Sequence, residues 1–360
     1  MTINRRAILG SCALLAANPA RALARQRLAE PFTIRQDRWR RIKALSSAAP
    51  PAVDICPPPP SPIEGIKGTY FYSNQNHSIV DSELHSKWQQ QREPLLSFIV
   101  GVENEVEKWL VSGGTDRRAA ACAASWLGAW ADANALLGFF NGQGMNGLRW
   151  CTVGLANAYL NIRLTKEIGG ERRIRIDRWF GKLALRCRAS APAEHNNHYF
   201  WAAAATASAG VAFNDFKGFD WAMQCGRVGA HEISDGGTLP LELARGRRAL
   251  GYHCFALSAL LILAEYGKAN GIDLYDENGQ AIARLVDFIL RNMDDPAEIT
   301  RITDKKQVWG GPSDGSMAWA EIWQARFPDE RLLPVLKKLR PLRMAYMGGN
   351  QTLMFGRRAI

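Results

Sequence analysis

Apolar residues recur at helical spacing along most of this chain, and the β-branched alternation that a half-buried strand requires is almost absent. Leu95, Leu96, Phe98, Ile99, Val102, Val106, Trp109 and Leu110 form one stripe, and the alanine- and tryptophan-rich run at 117–138 forms another. Similar segments lie near 147–167, 171–188, 197–213, 217–230, 240–267, 277–292, 316–326 and 329–339, punctuated by Gly, Pro, Asn and Asp and by Gly-Gly pairs at 113–114, 169–170 and 236–237. About ten helices joined by modest loops predict an all-α chain of packed helical hairpins: a bundle, a solenoid or a closed α/α toroid. No motif repeats at a fixed period, which argues against a regular solenoid.

The N-terminus reads as an export signal: Arg5-Arg6, a short apolar stretch from Ala7 to Ala17, and the small-residue cleavage site Ala22-Leu23-Ala24. The arginine pair also resembles a twin-arginine signal. Three segments are therefore expected: a signal at 1–24, an N-terminal arm with the Pro-rich stretch CPPPPSP at 25–62, and a helical domain at 63–360. Residues 1–24 carry three arginines and no acids, so the net charge of +11 becomes +8 after removal. A basic protein in the periplasm or outside the cell calls for an anionic partner. There, an acidic polysaccharide or a membrane surface fits better than nucleic acid. No stable membrane insertion is expected after signal removal, and the chain is expected to be monomeric. Of seven cysteines, six remain past residue 24, and none forms a CxxC pair, which argues against zinc.

Two stretches concentrate chemistry. AEHNNHYFWAAAATASAG (193–210) sets His195, Asn196, Asn197, His198, Tyr199 and Trp201 against an alanine run. Either Asn can cap the helix that follows, and a helix N-terminus favours a bound anion. A cap alone does not require two imidazoles and an indole in the same seven residues. The second stretch, LELARGRRALGYHCFALSALLILAEYG (241–267), carries Arg245, Arg247, Arg248, Tyr252 and His253 on what reads as one helix. Two helical turns would then put Arg245 and Tyr252 on one face, separated by roughly 10 Å of rise.

Together, NNHYFWAAA and ELARGRRALGYHCFAL resemble the paired signature of polysaccharide lyase family five, the alginate (polymannuronate) lyases, with weaker similarity at CPPPP (56–60), WADANALLGFFNGQG (130–144) and MGGNQTLMF (347–355). The resemblance implies an (α/α) toroid with a deep cleft, in which Asn197, His198, Arg245 and Tyr252 are catalytic, and a disulfide between Cys56 and Cys122. Elimination across a β-1,4-linked uronide requires neutralising the C6 carboxylate, removing the C5 proton and protonating the bridging O4. Asn197 and Arg245 suit the carboxylate. His198 suits a base, with Tyr252 as the acid. In mannuronate, where the C5 proton and O4 share one side of the ring, Tyr252 could serve as both. Trp201 is expected to offer a face to a sugar, with Arg248 and Asn196 at neighbouring groups. His195 and His253 are expected to be supporting or packing residues. No metal or organic cofactor is needed.

The chain departs from the family at TYFYSNQNHSIVD (69–81), where alginate-specific members carry a Ser-Lys-Tyr-like lid segment, and at NNHYFW in place of NNHSYW. The identity of the uronide is thus left open between mannuronan and a glucuronan or another uronate-containing polymer. Two other classes compete. A glycoside hydrolase on the same fold would need two carboxylates across the cleft, drawn from Glu194, Asp235 and Glu242. A noncatalytic polysaccharide binder would use the arginines and Trp201 alone.

Overall fold

The computed structural model describes residues 27–32 and 56–356. The expected export signal at 1–24 and most of the expected N-terminal arm lie outside the described residues. Among those described, eight helices have 16 or more residues: α1 (Ser82–Val111), α2 (Arg117–Asp132), α3 (Gly142–Ile162), α4 (Gly170–Ala189), α5 (Asn197–Phe213), α6 (Phe216–Glu232), α8 (Ala249–Ala269) and α9 (Glu277–Asn292, kinked at 278–280). The short α7 (Pro240–Leu243) precedes α8, and short helices α10 to α14 follow α9 between Ala297 and Met354.

Side-chain oxygens start most of the long helices. Asp81, Asp116, Asn141, Asn196 and Asp215 each accept a first-turn backbone N–H of α1, α2, α3, α5 and α6. At the other end of α1, Gly113 and Gly114 take positive φ of 67° and 85°, a conformation that side chains resist.

Two layers emerge from the packing. Helices α1, α3, α5 and α8 contact one another in sequence, and α2, α4, α6 and α9 lie outside them, each against its inner neighbours. Burial agrees: α3, α5 and α8 are covered almost all round, whereas the outer helices bury one face. The C-terminal segment closes the circle between α8 and α1. There the short α11 (Asp314–Met317) meets α8, and an antiparallel pair, Arg343–Met344 with Gly349–Asn350, meets α1. The result is an α/α toroid. The α8 helix with its leading turn is apolar and long enough to cross a membrane, but it is mostly buried in the ring.

At the hub, α5 touches α3, α4, α6 and α8. Ala202–Ala205, Ala207, Ala209 and Ala212 are all fully buried, so four neighbours approach a helix that presents little more than methyl groups. Gly229 of α6 follows the same logic: a Cβ there would lie 2.6 Å from Leu260 and 3.0 Å from Phe200.

The Pro-rich segment is fastened to α2. Prolines have no N–H to offer, but their carbonyls are free acceptors. The Trp126 indole donates to the Pro57 carbonyl at 2.8 Å and that of Trp130 to Pro60 at 2.9 Å. Cys56 and Cys122 form a disulfide beside these contacts, with Cα atoms 5.4 Å apart.

One difference from the helix expectations bears on the site. The span 240–267 is not one helix: α7 ends at Leu243, a 3-10 turn covers Gly246–Arg248 with Gly246 at φ 54°, and α8 begins at Ala249. The span 316–326 is likewise broken, between α11 and α12 (Ala320–Arg326).

The disulfide spans a separation of 66 residues. Replacing both cysteines with serine is expected to lower unfolding stability by about 2–4 kcal/mol, read from urea unfolding, with helical circular dichroism retained at low denaturant. Ala204→Leu at the hub is expected to destabilise by about 1–3 kcal/mol in the same measurement, because no neighbour can withdraw.

Candidate active site

A cleft of about 840 Å3 opens where the α5 N-terminus meets the turn between α7 and α8, roofed by the loop 69–81. Asn196, Asn197, His198, Arg245, Arg248 and Tyr252 all line it. The broken helix explains how Arg245 reaches Tyr252. In a continuous helix the two would be two turns apart, but the 3-10 turn folds the arginine back, and its guanidinium lies over the Tyr252 ring, 5.0 Å from the centroid.

Beneath this pair lies Glu242, which is fully buried. Its carboxylate accepts the Asn197 backbone N–H at 2.6 Å and the Asn197 side-chain amide at 3.0 and 3.1 Å, and it sits 3.6 Å from Arg245 Nε. It occupies the anion position at the N-terminus of α5, where the helix dipole favours negative charge. Burial pushes the Glu242 pKa up, and Arg245 and the Asn197 N–H groups oppose that shift. With the Asn197 amide nitrogen turned to Glu242, Asn197 Oδ1 is left buried without a protein partner. Asn196 does the capping itself, its Oδ1 accepting the His198 N–H at 2.9 Å.

The His198 side chain is held uncharged. Burial, assisted by Arg245, Arg149 and His77, pushes its pKa down to about 3. Its Nδ1 is buried and unpartnered, and the Trp150 ring stacks alongside with centroids 6.0 Å apart. Tyr252 is likewise neutral: burial raises its pKa and the neighbouring Tyr72 adds to the rise, while Arg245 acts against it. The two tyrosine hydroxyls are 2.6 Å apart.

One expected residue is misplaced. Trp201 is fully buried and packs on Phe255 at 4.9 Å between centroids, so it cannot offer a face to a sugar. The reason is the face of α5 that it occupies, turned onto Phe255 of α8. Trp150, from α3, is the indole that lines the cleft. Tyr199 also points away, against His195 and Trp221. His195 pairs with Glu232 at 2.8 Å. His253 is fully buried, where it accepts the Leu239 N–H and contacts the Ala249 carbonyl.

Sequence reading missed Tyr72, His77, Arg149 and Trp150, all of which line the cleft. For Arg149 a signal was available: it is the only charged residue in the otherwise uncharged helix GQGMNGLRWCTVGLANAYLNI. Tyr72 and His77 come from a loop without periodicity, and nothing local announces their place. For the hydrolase expectation the geometry is unfavourable. Glu194 is the one carboxylate lining the cleft among the described residues, Glu242 lies sealed beneath Asn197 and Arg245, and Asp235 is not at the cleft. No cluster of three or more His, Cys, Asp or Glu is placed to hold a metal ion among the described residues.

The alginate lyase family model matches residues 69–299. Among curated relatives, a polysaccharide lyase of Stenotrophomonas maltophilia is 32% identical over 317 residues, covering 86% of this chain and 93% of the relative. An alginate lyase of Azotobacter vinelandii is 30% identical over 315 residues, covering 83% and 84%. Among solved structures, alginate lyase A1-III from Sphingomonas species A1 superposes with a TM-score of 0.74 at 22% identity, over 92% of this chain and 97% of that one. A variant of A1-III complexed with a tetrasaccharide reaches 0.78 at 21% identity, over 93% and 98%. These structural likenesses carry the fold; the sequence matches carry the kinship, and by them the chain belongs to the alginate lyase family.

Proposed function

We propose that this protein is a polysaccharide lyase that cleaves β-1,4-linked polyuronate, alginate-type mannuronan first, by β-elimination. The observation that carries this reading is the meeting of the Arg245 guanidinium, the Tyr252 phenol and an uncharged His198 in one cleft with a single lining carboxylate. Arg245 neutralises the C6 carboxylate, which acidifies the C5 proton and stabilises the charge that develops as it leaves. Asn197, its amide nitrogen fixed by Glu242, offers Oδ1 to a sugar hydroxyl or to a proton on the carboxyl group. Arg248 and Asn196 meet neighbouring groups of the polymer, and the Trp150 indole takes the ring-packing role expected of Trp201.

For the base, the Tyr72 hydroxyl beside Tyr252 and the Arg245 guanidinium over its ring favour Tyr252 over His198. An imidazole with a pKa near 3 is a feeble proton acceptor, whereas a phenolate is a strong one. The Tyr72 hydroxyl at 2.6 Å gives the Tyr252 proton a route out, and the guanidinium on its ring lessens the penalty of the anion. With the C5 proton and O4 on the same side of mannuronate, Tyr252 takes the proton from C5 and returns it to O4. The C5–H and C4–O4 bonds break, C4=C5 forms, and the new non-reducing end is a 4,5-unsaturated uronate. His198 stays neutral and supports the charge from beside Trp150. The chain is read as an exported enzyme of the periplasm or the cell exterior, on the strength of residues 1–24 and its basic charge.

Incubation with polymannuronate, polyguluronate and glucuronan, followed by ultraviolet absorbance of the unsaturated ends, tests the reaction. Rising absorbance on polymannuronate is expected, and saturated products or no turnover on any of the three would refute the lyase reading. Tyr252→Phe is expected to lower kcat by about 10^3-fold or more, and His198→Gln by considerably less. The pH profile separates the two bases. The reactive form of Tyr252 is deprotonated and its pKa is raised above the ordinary value of 10, so its population, and kcat/KM with it, climbs from pH 7 to 9. A His198 base, already deprotonated far below pH 7, would give a flat profile over that range.

A further inference from the structure

The loop 69–81, where this chain departs from the family pattern, lies on the guanidinium–phenol pair. Asn74 sets its shape: Oδ1 accepts the backbone N–H of Ser78 and of Ile79, both at 2.9 Å, and Nδ2 donates to Ser78 Oγ at 2.8 Å. The turn so pinned holds His77 at φ 52°, in the left-handed region that residues other than glycine seldom enter. From that position His77 Nδ1 accepts an N–H from Arg245 Nη1. The His77 ring stands edge-on to Tyr72 at 5.4 Å, and the Ser78 carbonyl accepts from Arg248 Nε at 3.2 Å. A guanidinium cannot accept, so the His77 contact exists only while Nδ1 carries no proton.

We propose that His77 is a positioning residue for Arg245 and a proton-sensitive latch. Uncharged, it holds the guanidinium over Tyr252 and the loop 69–81 down on the cleft; protonated, it repels Arg245 and releases the loop. This rests on the lyase reading for its effect on turnover, but not for the latch contact itself. The groups that face His77 are Arg245 from the turn between α7 and α8, Glu194 from the connection before α5, His198 from α5, Tyr252 from α8 and Tyr72 from its own loop. Partial desolvation and the Arg245 charge hold the His77 pKa below its ordinary value, with Glu194 acting the other way. The latch is therefore closed above that lowered pKa and opens as pH falls through it. His77 remains exposed at the cleft rim, where solvent protons reach it.

Steady-state kinetics of the wild type, His77→Gln and His77→Ala between pH 4.5 and 8 test the effect on turnover. The wild-type KM for the polymer is expected to rise about tenfold on the acid side while kcat changes less. His77→Gln, whose amide oxygen accepts at every pH, is expected to keep its neutral-pH KM in acid, and His77→Ala to show the raised KM throughout. A KM for His77→Ala within twofold of wild type at pH 7, or an acid response of His77→Gln matching that of wild type, overturns the proposal. A second readout does not depend on catalysis. The His77 imidazole resonance, identified by its loss in His77→Gln, is titrated by NMR in the wild type and in Arg245→Gln. Its pKa is expected to rise when the guanidinium is removed, and an unmoved pKa refutes the latch. Failure of the lyase reading would show instead as a wild-type protein inert on every polyuronate, with the titration still deciding His77.

Discussion

Everything in this toroid is arranged around a helix that has to be thin. Helix α5 is covered by α3, α4, α6 and α8 at once, and a helix with four helical neighbours has no face left for large side chains along most of its length. Alanine meets that constraint, keeps high helix propensity and loses no side-chain entropy on burial. The large residues of α5 are confined to its ends: Tyr199, Phe200 and Trp201 near the start and Phe213 at the finish. The start is also where the helix leaves the crowd and meets the cleft, so the same constraint that empties the middle of α5 concentrates its polar chemistry at Asn196, Asn197 and His198.

That concentration creates an electrostatic problem which Glu242 resolves. Arg245 is only 8% exposed, and a guanidinium so deeply placed needs a counter-charge. Glu242 supplies one from below at 3.6 Å, and it gains the α5 N-terminus and the Asn197 amide as further partners. The carboxylate and the guanidinium therefore stabilise each other beneath the cleft. The guanidinium keeps a face on Tyr252 and lines the cleft, while the carboxylate is sealed off. On the proposed lyase reading, an anionic sugar would meet the positive member of a buried pair whose negative member it cannot approach, a form of electrostatic preorganisation.

How much of this was legible in the sequence follows the kind of signal involved. The α5 span 197–213 and its Asn cap were readable because an alanine run bounded by Asn and Phe has one interpretation in periodicity. Arg245 and Tyr252 were readable from their spacing as residues of one helix face, and as catalytic partners through the family resemblance. The periodicity of 240–267 carries straight through the turn at Gly246–Arg248, so pattern reading placed both residues on one helix and missed the fold-back that brings them together. Trp201 failed for a related reason: its type suggested a sugar platform, but whether an indole faces a cleft or a neighbouring helix depends on a partner, here Phe255, that lies 54 residues away. The roof was the least legible part, since the roles of Tyr72 and His77 depend on Tyr252 and Arg245, which lie 180 and 168 residues further along the chain.

The balance of charges around the cleft also bears on which chemistry this scaffold hosts. Helical toroids serve hydrolases as well as lyases, and the architecture does not choose between them. Inverting hydrolysis needs a carboxylic acid on one side of the scissile bond and a carboxylate on the other, with room for water. Here Arg149, Arg245 and Arg248 line the cleft with Glu194 alone among the acids of the described residues, and Glu242 is committed to Asn197 and Arg245. Such a surface repels no polyanion and offers no second carboxylate to activate water. On the proposed reading it supplies what elimination from a uronide needs, a cation held in the cleft to neutralise the sugar's own carboxylate. The carboxylate missing from the protein is thus the one the substrate brings.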